Sequence, residues 1–284
     1  MSNLKPNSVV ACLDCPEHVP AVLNASLWAS TRLQAPIGLL YAMPNVHQKS
    51  AINYSGCLNI DDESHLLDQF TNQEHLTSCE LKTQGKILLH QASSYCAQQN
   101  AKQNVYTLYR HETLGKSIDY INDKAQLTVI GHHVTCKATL SELVRLSHCP
   151  ILVTHAAFTP PNEALFAFDN RMTAHKMLNW LCKTQLIRTM TVHVVMVGKD
   201  TSENRDALRE AYARLKQAGI QCKKQLLDYR DVSAAISYYQ SEHNIGLLMS
   251  GAFGQSRFRQ LLQGSDTKKL LSCVKTPYLL FPKF

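Results

Sequence analysis

Short apolar runs rich in β-branched residues alternate along the chain with segments whose apolar positions recur every three or four residues. Ser8 to Leu13 is the first run, and it stops at Asp14. Runs of this kind suit a strand buried on both faces of a parallel sheet. Ala21, Val22, Ala25, Trp28, Ala29 and Leu33 follow at helical spacing, and Pro36 closes that helix. Ile37 to Ala42 reads as a second strand. The stretch from Pro44 to about Asp62, carrying Asn, Ser, Gly and Asp, reads as a loop. Leu66 to Ala101 reads as a long helix interrupted near Gly85. Val105–Tyr109, Leu127–Ile130 and Ile151–Val153 read as strands, separated by helices over Leu114–Ile121 and Leu140–Leu146.

The same order then begins again. Ala164 to Phe168 is apolar and ends at Asp169, as the first run ends at Asp14. Helical stripes run through Ala174, Met177, Leu178, Leu181 and Leu186, and through Ala207, Leu208, Ala211, Leu215 and Ala218, the latter stopped by Gly219. Strands are expected over Val192–Val197, Gln225–Leu227, Ile245–Met249 and Tyr278–Phe281, with helices over Val232–Tyr239 and around Leu270 and Leu271. The run from Cys149 to Val153 matches that from Thr276 to Leu280. The chain is therefore an internal duplication with a period of about half its length. The turn-rich segment from Ala156 to Asn162, with Pro160 and Pro161, marks the boundary. The expected domains are residues 1–156 and 157–284, each an α/β unit with a five-stranded parallel sheet and helices on both faces.

Composition supports packed cores. Of the 284 residues 45% are hydrophobic and 18% charged, with no long charge run, which argues against disorder. No apolar run approaches the roughly 18 residues of a membrane helix, and Met1 to Val10 lacks a signal-peptide core, so a cytoplasmic location is expected and no membrane partner. The net charge of +7 is uneven. Residues 1–156 carry 11 basic and 12 acidic side chains, whereas residues 157–284 carry 18 and 10. A basic second half suits a small phosphate-bearing ligand at least as well as a polyanion. No basic–aromatic interleaving or DNA-reading motif accompanies it, so no nucleic acid is expected. Most of the ten cysteines, Cys182 and Cys273 among them, sit in apolar segments as small hydrophobes. Cys12 and Cys15 have C-x-x-C spacing, but no second pair completes a four-cysteine zinc site.

The chemistry-bearing motif lies in the second half. After its fourth strand come Ser250, Gly251 and Gly254, then nine residues to Gly264 and Ser265. This is G-x2-G-x9-G-S. Gly251 and Gly254 let backbone approach a ligand closely. Gly264 and Ser265 stand just before a helix start, whose free N–H groups and positive dipole end suit phosphate. The element follows the carboxyl end of a strand, where open α/β sheets bind ligands.

The repeated βα pattern, the first-strand Asp and this spacing together resemble the universal stress protein family, over nearly the whole chain and as two tandem copies. The resemblance implies Rossmann-like, adenine nucleotide alpha hydrolase-like domains and a stress-response, nucleotide-dependent regulatory role. It implies ATP, with or without Mg, as the ligand of the second domain. It places Asp169 near adenine and ribose, Val194 beside adenine, and Ser250, Gly251, Gly254, Gly264, Ser265 and Thr267 at phosphate and ribose. It also implies pairing of the two domains through Ile151–Val153 and Tyr278–Phe281, and leaves a homodimer open.

The sequence departs from the family in two places. Asp266 follows Gly264 and Ser265 and would repel a phosphate, a charge that Arg257, Arg259, Lys268 and Lys269 offset. In the first half Gly131 is followed by His132, His133 and Val134, so the second glycine is missing and the loop is short. That half keeps Asp14 without a triphosphate loop. His132 and His133 stand at its ligand edge, with Cys136 near enough in sequence to join them on a metal. His193 reads as a core histidine and His175 as a solvated one. No nucleophile elbow, H-E-x-x-H, Walker lysine or G-x-G-x-x-G is present, so the chain is at most a weak ATPase. A scaffold that keeps the loop without binding nucleotide is the competing reading.

Overall fold

The computed structural model describes residues 4–14, 16–42, 82–99, 104–132, 140–251 and 276–282. Its first half contains β1 (Ser8–Cys12), α1 (Val19–Leu33), β2 (Ile37–Ala42), α2 (82–99), β3 (Val105–Arg110), α3 (Leu114–Ile121), β4 (Ala125–Gly131), α4 (Leu140–Leu146) and β5 (Ile151–Thr154). The second half repeats this with β6 (Glu163–Ala167), α5 (Met172–Lys183), β7 (Thr191–Val197), α6 (Ser202–Gln217), β8 (Cys222–Leu227), α7 (Val232–Glu242), β9 (Leu247–Gly251) and β10 (Tyr278–Phe281).

The strands form one ten-stranded sheet in the order β3-β2-β1-β4-β5-β10-β9-β6-β7-β8. Within each half the order is 3-2-1-4-5 and every pairing is parallel. The halves meet where β5 and β10 pair antiparallel, with Tyr278 opposite Val153, Leu279 opposite Leu152 and Leu280 opposite Ile151. Leu152 and Leu279 hold the same place in the two repeats, so a pseudo-two-fold axis passes between them.

Side chains alternate across the sheet with the period of two that a strand dictates. Val9, Ala11 and Leu13 face α1 and α2, together with Phe166, Val192 and Val194 facing α5 and α6, in a core that runs unbroken through both halves. Val10 and Cys12 face α3 and α4. Leu165, Ala167 and Val195 face α7 in a smaller core, and Leu248 touches both clusters on that side. Phe158 in the connecting segment packs its ring 5.5 Å from Trp28.

Helix ends follow local chemistry. Thr113, Thr201 and Asp231 cap α3, α6 and α7 by accepting backbone N–H bonds. Gly219 ends the α6 turn at φ +76°, a conformation that favours glycine.

Two sequence expectations need correction. The α2 helix is not interrupted at Gly85. It runs through it, and the glycine answers to packing: a Cβ there would stand 2.5 Å from Tyr41 and 2.8 Å from Tyr109. Glycine serves ring packing rather than a break. His175 is half-buried rather than solvated: its ring meets Phe168 edge-on at 5.2 Å and its Nε2 lies 2.9 Å from Asn170 Oδ1. The expected loop 44–62 and the helices over 66–81 and around Leu270 lie outside the described residues. No helix among the described residues is long and apolar enough to cross a membrane.

Candidate functional site

Each half reverses its strand order beside its first strand, between β1 and β4 and between β6 and β9. Such switch points open a crevice at the carboxyl ends of the strands. In the second half that crevice is walled by the end of β6, the end of β9 and the start of α5.

Asp169 stands on its rim, two residues beyond β6 and exposed. Its Oδ1 accepts the Arg171 backbone N–H at 3.2 Å, and its Oδ2 lies 3.8 Å from Arg171 Nε. Asn170 takes a left-handed φ of 56° to make this turn. The α5 helix then begins with no side-chain cap, leaving first-turn N–H groups at the crevice. Ser250 and Gly251 end β9, both buried, with Ser250 level with Ala167. A Cβ on Gly251 would stand 2.8 Å from Thr173 Oγ1 and 2.9 Å from its Cβ. Gly251 is thus a place where backbone and helix meet without room for a side chain, at the first residue of the G-x2-G-x9-G-S motif.

Asp169, Ser250 and Gly251 are therefore brought together. Val194 is not with them. It pairs with Phe166 inside the sheet and is fully buried, whereas half-buried Val197 ends β7 two residues past the register partner of Ala167. Gly254, Arg257, Gly264, Ser265 and Thr267 lie outside the described residues, as do Asp266 and the other flanking basic residues Arg259, Lys268 and Lys269.

The first half keeps the same plan with other side chains. Asp14 corresponds to Asp169, His18 to Thr173 by equal spacing from that aspartate, and Gly131 to Gly251 as the last residue of the fourth strand of its half. A Cβ on Gly131 would stand 2.7 Å from the His18 Cβ. Asp14 lines a cavity of about 280 Å³ with Leu13, Tyr41 and the α2 residues Gln84, Ile87, Leu88 and Gln91. Sequence patterning did not reveal this cavity, because its far wall comes from a helix whose register the pattern left open.

His132 stacks on His155, their centroids 4.6 Å apart. His133, Cys136 and Cys15 lie outside the described residues. Cys12 is buried, and burial, with the nearby Asp14 charge, pushes its thiol well up. Among the described residues no group of His, Cys, Asp and Glu is arranged to hold a metal ion. His193 is a satisfied core histidine: its Nε2 lies 2.8 Å from Glu163 Oε2 and its Nδ1 3.0 Å from Tyr239 Oη.

Comparison with known proteins agrees with this architecture. No family model matches the chain. A universal stress protein of Synechocystis sp. is 27% identical over 287 residues, covering 96% of this chain and 99% of that one. The structure of a universal stress protein from Archaeoglobus fulgidus matches with TM-score 0.69 at 14% identity, covering 98% of this chain and 97% of the other. A second, described as a putative universal stress protein from Pseudomonas aeruginosa, matches with TM-score 0.54 at 15% identity over 98% and 93%.

Proposed function

We propose that this chain, which belongs to the universal stress protein family, is a cytoplasmic, nucleotide-dependent regulatory protein that binds ATP in its second half. The observation that carries the reading is the Gly251–Thr173 contact beside Asp169, at the β6/β9 switch point and at the head of G-x2-G-x9-G-S. With no side chain of its own, Gly251 lets a phosphate chain approach its backbone closely. The start of α5 adds N–H groups and a positive dipole end on the same rim. Asp169, exposed on the rim, has a carboxylate that accepts hydrogen bonds, as ribose hydroxyls require. In this reading Gly254, Gly264, Ser265 and Thr267 hold phosphates, and Arg257 supplies countercharge. Mg, if bound, rides on the phosphates.

The first half binds no triphosphate, since Gly131 is followed by histidines rather than a glycine-rich loop. It acts as the fixed partner of the second half. In this reading hydrolysis is at most weak, since the sequence carries no nucleophile elbow, H-E-x-x-H or Walker lysine. One observation favours the competing reading of a scaffold that holds no nucleotide: Asp266 sets a carboxylate directly after Gly264 and Ser265.

A thermal-melt titration with ATP, with and without Mg, separates the two readings. ATP at 100 times its dissociation constant stabilises by about 2.7 kcal/mol. A saturable rise in wild type, lost in Gly264→Asp, is the expected result; no rise in either protein would leave the scaffold.

A further inference from the structure

The α5 helix starts with the wrong charge for an isolated helix. A helix N-terminus is the positive end of the backbone dipole, so it favours carboxylates and disfavours cations. The neighbouring helices follow that preference: α6 carries Glu203 in its first turn behind its Thr201 cap, and α7 is capped by Asp231. α5 instead has Arg171 at its N-cap, no side-chain cap and no acidic residue in its first turn. Arg171 stands two residues after Asp169, and the first repeat has Pro16 at the matching place after Asp14. The arginine therefore belongs to the second half alone.

Asp169 faces this charge. Its Oδ2 lies 3.8 Å from Arg171 Nε, and its Oδ1 accepts the Arg171 backbone N–H at 3.2 Å. The two side chains are 34% and 45% exposed, so water screens the ion pair and exchanges it easily. A guanidinium gains more from a phosphate, which it can meet through two parallel N–H bonds. The phosphate-approach point of the crevice is close at hand. Thr173, two residues beyond Arg171, sets its backbone carbon 3.3 Å from where a Gly251 Cβ would stand. Asp169, Arg171 and the Gly251 backbone thus share one short stretch of rim.

We propose that Arg171 makes this site selective for a nucleoside phosphate over the bare nucleoside, by changing partners. In the structure its guanidinium lies against Asp169. On a nucleotide it turns to the phosphate beside Gly251, and the Asp169 carboxylate passes to the ribose hydroxyls. A nucleoside without phosphate must take Asp169 from Arg171 and gives the arginine nothing in return. The inference rests on the nucleotide reading of the second half.

The opposite signs for the two ligands make the test. ATP binding to the full chain is measured by calorimetry at low and high salt, and adenosine by displacement of ATP, in wild type, Arg171→Gln and Arg171→Lys. Loss of a charged partner should weaken ATP by about tenfold or more in Arg171→Gln. That loss should shrink as salt rises, because salt screens an exposed charge. Adenosine should bind Arg171→Gln at least as tightly as wild type, and Arg171→Lys should recover part of the ATP affinity. The melting temperature of Arg171→Gln without ligand should not fall, since the substitution removes a cation from a helix start.

ATP affinity unchanged in Arg171→Gln would overturn the proposal and leave the nucleotide reading standing. Equal weakening of ATP and adenosine, or an ATP loss independent of salt, would also overturn it, leaving Arg171 as a support for Asp169. Wild type that takes neither ligand would overturn the nucleotide reading itself, and this inference with it.

Discussion

Leu152 and Leu279 face each other across the antiparallel pairing of β5 and β10, each fully buried and each at the same position of its repeat. The contact makes one sheet of two five-stranded units, and the core on the α1, α2, α5 and α6 side passes through it without a break. Leu279→Ala removes buried methyl groups at the axis and should cost about 2–5 kcal/mol. The chain has two tryptophans, Trp28 in α1 and Trp180 in α5, one per half. Single-tryptophan variants, Trp28→Phe and Trp180→Phe, then report each half separately. Denaturant unfolding should give the same midpoint for both reporters, and Leu279→Ala should lower both together.

Gly251 has no room for a side chain beside Thr173. Gly251→Ala should push the start of α5 away from the end of β9 and cost about 1–3 kcal/mol, the usual range for overpacking. The same substitution should abolish the ATP-induced rise in melting temperature. Gly251→Ala with Thr173→Gly, which relieves the overlap, should regain most of the stability.

Gly85 sits in mid-helix, where alanine would ordinarily gain up to about 1 kcal/mol of helix propensity. Here Gly85→Ala should destabilise instead, because its Cβ would meet the rings of Tyr41 and Tyr109. Those rings stack at 5.7 Å, and Tyr41 lines the Asp14 cavity. Chemical denaturation of the variant gives the sign directly.

His193 ties three elements together through Glu163 on β6 and Tyr239 on α7. Burial lowers its affinity for a proton, against the opposing pull of the Glu163 hydrogen bond. Its contribution to stability is therefore complete above the ordinary imidazole value and declines as pH falls below it. His193→Leu leaves the buried Tyr239 hydroxyl unpaired and should cost about 1–3 kcal/mol. The variant should also show a flatter stability profile between pH 6.5 and 5 than the parent, as measured by urea unfolding at each pH.

The duplication was legible in the sequence because buried parallel strands write themselves as short apolar runs. Asp14 and Asp169 closing matching runs fixed the repeat, and Leu114–Ile121 was readable to the residue. What escaped was set by contacts between distant segments. Gly85 reads as a helix break until Tyr41 and Tyr109 are placed against it. His175 reads as a surface residue until Phe168 turns back onto it. Val194 and Val197 are both apolar strand residues, and only the register with β6 separates the buried one from the one at the rim. His132 reads from the sequence as a histidine at a ligand edge. Its stacking partner His155 does not stand out there, because the two come together only when β4 and β5 lie side by side.

Nucleotide binding by the second half alone is tested most directly by the stoichiometry of ATP binding in isothermal titration calorimetry. One ATP per chain is expected, lost in Gly264→Asp and unchanged in Asp14→Asn. Two sites per chain, or a single site lost in Asp14→Asn and retained in Gly264→Asp, would contradict it, as would no binding at all.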